Sequence, residues 1–152
     1  MITRIVVGLA LGPAFLAALF FLPPVALSAV VAVIAGMASY ELLRAARVLH
    51  RNGMYVCTMT AAVLVALGHG LGYGDWTARA AAILLMAALF LPGLRRYGTG
   101  EEIRFEKILI CLFAGVGLPL FLSALIQLRR LDNGRFYVLL PVICAFTTDI
   151  GA

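Results

Sequence analysis

Charge is what this chain has least of. Only 12% of its 152 residues are Asp, Glu, Lys or Arg, about half the share of an average soluble domain. Hydrophobic residues make up 64% of it, and the mean hydropathy is +1.07. A solvated surface around a single core cannot be built from that composition, which instead fits a polytopic membrane protein. Cysteine is also sparse. Cys57, Cys111 and Cys144 each lie inside an apolar run with no CxxC spacing, which argues against a disulfide framework or a zinc site. They read as small apolar side chains.

Lysine is nearly absent, with Lys107 alone against eleven arginines, and the net charge is +5. In a soluble protein this excess would raise nucleic acid as a partner. Here the basic residues sit in short loops between apolar runs, where membrane topology and anionic lipid headgroups account for them, so no nucleic acid is expected. Alternation of apolar and polar residues is missing too, which excludes a membrane β-barrel. The spans must then be α-helical, because backbone groups in lipid have to be satisfied within their own segment. Walker-type, GxGxxG, HExxH and GxSxG motifs are all lacking.

Present instead are six apolar runs, and the expected fold is an all-α, polytopic membrane bundle of about six transmembrane helices forming one domain over residues 1–152. The runs are Ile5–Leu22, Val25–Leu43, Tyr55–Leu71, Trp76–Leu91, Ile108–Leu128 and a last one, Phe136–Ala152, that carries Asp149. Each is close to the length needed to cross the hydrocarbon core, the fourth being the shortest fit. Pro23-Pro24 should make a tight turn between the first two, Pro92-Gly93 should end the fourth, and Pro119 should kink the fifth. The first run is longer than a signal-peptide core and a second follows directly, so it is read as a span.

Loop charges set the expected orientation. With the N-terminus in the cytoplasm, that side carries Arg4, Arg44, Arg47, Arg51, Arg95, Arg96, Arg104 and Lys107; the other carries Arg79, Arg129, Arg130 and Arg135. Eight against four favours that arrangement. Arg129, Arg130 and Arg135, all on the outer side, weaken it. The last run then delivers Asp149 to the cytoplasmic face.

An ionisable residue at membrane depth is costly and marks a functional site by default. Thr147-Thr148-Asp149-Ile150-Gly151 gathers two hydroxyls, a carboxylate and a flexible backbone at one helix end. Such oxygen donors suit Mg²⁺ and, through it, phosphate groups; the same residues also suit a span that simply reaches water. Glu41, with Arg44 one turn on, reads as an ion pair at the membrane boundary or as a cavity-lining group. Gly68/Gly72 and Gly70/Gly74 are small-xxx-small pairs that point to close helix packing, as Gly8-xxx-Gly12 does in the first run, and His69 among them reads as interfacial. The Arg95–Lys107 loop reads as a solvated connector.

The apolar helix leading into Thr148-Asp149-Ile150-Gly151-Ala152 resembles the Asp-x-Gly-Ala-Tyr stretch of the CTP:phosphatidate cytidylyltransferases, or CDP-diacylglycerol synthases. Similar as well are the Arg4-led first helix, the Pro-Pro hairpin, Ser39-Tyr40-Glu41 closing the second helix, and Gly117-Leu-Pro-Leu in the fifth. The resemblance covers the whole chain but only about the N-terminal half of the family pattern. A later signature rich in Ser, Lys, Asp, Pro, Gly and His is not in it, and the expectation is of a fragment inactive by itself.

The resemblance implies a multi-pass enzyme of the bacterial inner membrane, acting on CTP and phosphatidate among the membrane lipids. Mg²⁺ would be its cofactor and a homodimer an open possibility. Asp149 is the one residue carried over as a catalytic or metal-holding group, and Glu41 is a structural match only. Two other classes stay open at this point: a small transporter or channel subunit with Asp149 on its path, and a non-catalytic membrane scaffold.

Overall fold

Pro23 and Pro24 set the first boundary. A computed structural model describes residues 12, 15–48, 52–95, 98 and 104–151, with backbone only at 52, 146 and 149–151. Most of the first run, including Gly8 of the Gly8-xxx-Gly12 pair, and most of the Arg95–Lys107 connector lie outside these residues. A first helix, α1, is described over 15–21; Pro23 is extended (φ −67°, ψ 156°), and Pro24 opens α2, Pro24–Ala45. Proline suits that first position because the amide there has no intrahelical partner to lose.

The chain continues through α3 (Asn52–Leu71), α4 (Gly74–Arg95) and α5 (Phe105–Leu112). A π-helical turn, Phe113–Gly117, leads into α6 (Leu118–Arg130), then the short α7 (Gly134–Tyr137) and α8 (Leu139–Gly151). Four of these segments are long and apolar enough to cross a membrane: Pro24–Ala45, Gly53–Leu71, Gly74–Arg95, and the continuous Phe105–Arg130. Together with α1 and the α7–α8 pair they fit the expected count of about six, and no strand occurs among the described residues.

Successive spans reverse direction, so the turns at 22–23, 72–73 and 131–133 share one end, the hairpin end. The C-termini of α2 and α8 reach the other, the Asp149 end. α3 is the centre, since its side chains enter both core clusters. Val65 and Ala61 pack with Leu43, Leu85, Leu89 and Ile108. Ala66 packs with Leu27, Val31, Ile126 and Val142. α4 shows the opposite extreme. Only its stripe Gly74, Ala78, Ala81, Leu85 and Leu89 is buried, while Ile83 and Leu84 are about 70% exposed. A helix apolar on every face with one buried stripe is suited to lipid on the rest.

Two prolines behave differently from the sequence expectation. Pro92 lies inside α4, which continues to Arg95 rather than ending. The proline deprives only one carbonyl, that of exposed Ala88 near the helix end. The disturbance expected at Pro119 appears one turn earlier, as the π-turn. Leu118 N–H reaches back to the Phe113 carbonyl, and Pro119 has no N–H to offer the next carbonyl, that of Ala114. The buried Ser39 hydroxyl donates to that oxygen at 2.6 Å. An unpaired buried carbonyl would cost about 1–3 kcal/mol, and a side chain 75 residues away removes the deficit.

The expected close packing at the glycines is observed. A Cβ at Gly68 would collide with Thr77, at Gly70 with Ser28, and at Gly74 with His69. Gly72 has a different task. Its φ of +91° closes α3, with Tyr73 N–H on the Gly68 carbonyl and Gly72 N–H on that of His69. That pattern is a Schellman cap, for which glycine is favoured.

Candidate functional site

Position 149 lies in the last turn of α8, whose backbone stays helical through Gly151. The helix changes how its neighbours must be read. Consecutive residues are about 100° apart, so Thr147, Thr148 and Asp149 fan around the axis instead of converging. Gly151 contributes a helical residue rather than a flexible one. Thr147 and Thr148 are exposed, and both hydroxyls donate to their own helix. Thr147 Oγ1 reaches Ile143 O (2.8 Å) and Cys144 O (3.0 Å); Thr148 Oγ1 reaches Cys144 O (2.6 Å) and Ala145 O (2.9 Å). Their protons are committed, while the oxygen lone pairs stay free to accept.

Register tells more about 149 than adjacency does. Val138 and Val142 are buried in the cluster shared with α1, α2, α3 and α6. Position 149 follows Val142 by seven residues, about two helical turns, and so shares its helical register, while Ala145 between them is already exposed. Ala145, one turn before it, lines an apolar groove of about 490 Å³. The groove runs between α8 and the bundle, bordered by Phe15, Ile34, Phe121 and Pro141. The stripe of 138, 142, 145 and 149 is visible in the sequence as a heptad-like spacing. Reading Asp149 only beside its immediate neighbours misses it.

Glu41 is at the same end, in the last turn of α2, between buried Ser39 and Leu43 and itself exposed. Arg44 is exposed as well, and the expected ion pair between them does not form; the described ion pair at this end is Arg104–Glu106 at 2.8 Å. Arg47 and Arg95 are also exposed there, leaving that end with several free-reaching cations. Tyr40 packs edge-on against Tyr55, 6.0 Å between ring centroids, joining α2 to α3 beside them.

Arg129 and Arg130, expected in a loop, instead close other helices from the last turn of α6. Arg129 donates from Nε to Leu19 O (3.0 Å) and from Nη2 to Phe20 O (3.1 Å). Arg130 Nη2 reaches Gly70 O at 2.6 Å. These carbonyls belong to the last turns of α1 and α3, which have no intrahelical donors left. A cation there also meets the negative end of the helix dipole. His69, expected at an interface, is instead 4% exposed.

Among the described residues, no three His, Cys, Asp or Glu side chains are grouped to hold a metal. Buried polar side chains there are Ser28, Ser39, Thr58, His69 and Ser123, with no carboxylate among them. The model of the cytidylyltransferase family matches residues 2–152. This chain belongs to that family. No curated protein and no solved structure matches it. In this cytidylyltransferase, position 149 lies one helical turn beyond an apolar groove and at the end that carries exposed Arg44, Arg47 and Arg95.

Proposed function

We propose that this cytidylyltransferase acts on phosphatidate in the bacterial inner membrane. A phosphate oxygen of the lipid attacks the α-phosphorus of CTP. The bond to the β-phosphate breaks, giving CDP-diacylglycerol and pyrophosphate. The observation that supports this reading is the register of position 149, a carboxylate position in line with buried Val142 and one turn beyond the groove-lining Ala145, in a chain matched by the family over residues 2–152.

Phosphoryl transfer of this kind depends on alignment and charge neutralisation. The groove beside α8 offers acyl chains an apolar bed and leaves the lipid phosphate at its polar end. Exposed Arg44, Arg47 and Arg95 supply a positive field that draws both anionic substrates. Mg²⁺ is typically held by one or two carboxylates plus substrate phosphates, and a single acid at 149 fits that mode. When bound, the ion would neutralise phosphate charge. Asp149 would hold it and orient the nucleotide. With the N-terminus cytoplasmic, the Asp149 end faces the CTP pool, and Arg129 and Arg130 are held at the outer end as helix caps, which softens their count against that orientation.

The test is binding and turnover in nanodiscs containing phosphatidate. Mg–CTP should bind in preference to Mg–ATP, and Asp149→Asn should weaken it about tenfold, in line with the loss of a charged partner. Formation of CDP-diacylglycerol is followed in the same samples. Equal binding of both nucleotides, or binding indifferent to Asp149→Asn, overturns the assignment.

A further inference from the structure

The continuous span Phe105–Arg130 is two helices joined by the π-turn. The turn itself is anchored. Ala114 and Gly115 are buried, and a Cβ at Gly115 would run into Leu85 on α4 and crowd Thr58 on α3. The two arms are held unequally. α6 buries Pro119, Ser123 and Ile126, and Ile126 belongs to the cluster shared with α1, α2, α3 and α8. α5 buries Ile108 and Cys111 alone, in the other cluster. Its first turn touches α4 through an edge-on contact of Phe105 with Phe90, and Phe105 is more than half exposed.

Backbone bonding is interrupted at the same point. Leu118 N–H reaches the Phe113 carbonyl, and Pro119 has no N–H for the Ala114 carbonyl that follows. π-turns of this kind are found mostly at functional sites, and a helix bends where its backbone ladder is broken in this way. Ser39 supplies the missing donor from α2, and it is unlike the other hydroxyls. Ser28, Thr58, Thr60 and Thr77 all donate to carbonyls three or four residues back in the chain. Ser39, fully buried, donates across to Ala114 O at 2.6 Å. A helical serine can also donate to its own preceding turn. When the cross-helix bond opens, the Ser39 hydroxyl therefore has a second acceptor, and Ala114 O alone is left without a donor. Two arrangements that differ by one hydrogen bond make a two-state element.

We propose that this span is jointed at the π-turn and that Ser39 is its latch. With the Ser39–Ala114 bond made, α5 lies against α3 and α4. With it broken, α5 swings away from them about Phe113–Gly117. Phe105 stands ten residues before Gly115, about 15 Å along the helix, so the displacement is largest at the Asp149 end. The joint follows from hydrogen bonding and packing and does not rest on the cytidylyltransfer reading.

Distances between paired spin labels, measured in nanodiscs on a background of Cys57→Ser and Cys111→Ala, test the joint. One pair joins native Cys144 on α8 to Glu106→Cys on α5. The control pair joins Cys144 to Ile83→Cys on α4. Ser39→Ala should raise the displaced population of the first pair about tenfold, the effect of losing one hydrogen bond, and leave the control pair unchanged. Adding Pro119→Ala returns an N–H to the turn from within the span, and should restore the original distances. A first pair unmoved by Ser39→Ala, both pairs shifted alike, or a displaced population that persists with Pro119→Ala overturns the latch.

Discussion

The C-termini of α2 and α3 are closed by the same hydrogen-bond pattern with different residues. At the hairpin end, Tyr73 N–H bonds Gly68 O and Gly72 takes the left-handed position. At the Asp149 end, Val48 N–H bonds Leu43 O at 3.0 Å, and Arg47 takes that position at φ 55°. Glycine occupies this conformation freely, whereas an L-residue with a Cβ is penalised by about 1–2 kcal/mol. Leu43 and Val48 are both buried, the apolar contact that accompanies such caps, and it helps hold Arg47 in place. The hairpin end is then reinforced across the fold by Arg129 and Arg130, which bond the ends of α1 and α3. One end is built for closure. The other keeps its arginines exposed, at some cost in backbone strain, where the proposed reaction needs positive charge.

That contrast can be broken at several points by thermal unfolding of the purified protein. The largest effect is expected for Gly70→Ala, whose Cβ would enter Ser28. Overpacking of this kind costs about 1–3 kcal/mol, and Ser28→Gly should restore part of it. Full tolerance of Gly70→Ala alone would mean that α2 and α3 do not approach so closely. Arg129→Met, which keeps much of the aliphatic stem but strands two carbonyls, should cost about 2 kcal/mol. Next comes the exchange of cap residues. Gly72→Ala should lose about 1 kcal/mol and Arg47→Gly should gain a similar amount. At Gly72 a Cβ would meet only the Arg130 guanidinium at ordinary distance, 3.5 Å, so backbone conformation carries the effect. A melting temperature lowered by Arg47→Gly would refute the strain argument. Arg104→Ala should change stability least, within ~0.5 kcal/mol, because both partners of its ion pair are about 70% exposed.

Asp149 and the apolar runs were legible because membrane insertion imposes a coarse rule, length and hydropathy, that depends on no tertiary contact. Pro23-Pro24 was legible for the same local reason. Pro119 was legible only as a disturbance, since its resolution needed Ser39 from α2 to take the carbonyl of Ala114. Arg129 and Arg130 looked like loop charges because a side chain's acceptor in another helix leaves no trace in local spacing. His69 looked interfacial because its burial depends on Gly74 folding back against it.

The sequence by itself determined that this is an all-α membrane chain, where its spans lie, and that a carboxylate marks the end of the last run. Family resemblance could also be read there, since it rests on residue order. Tertiary structure decided which helix ends Arg129 and Arg130 close, which glycines admit a neighbouring helix, and that an apolar groove opens one turn before position 149. The physical reason is range. Hydropathy and backbone stereochemistry act within a few residues, whereas caps, close approaches and pocket walls are made by residues brought together from distant helices.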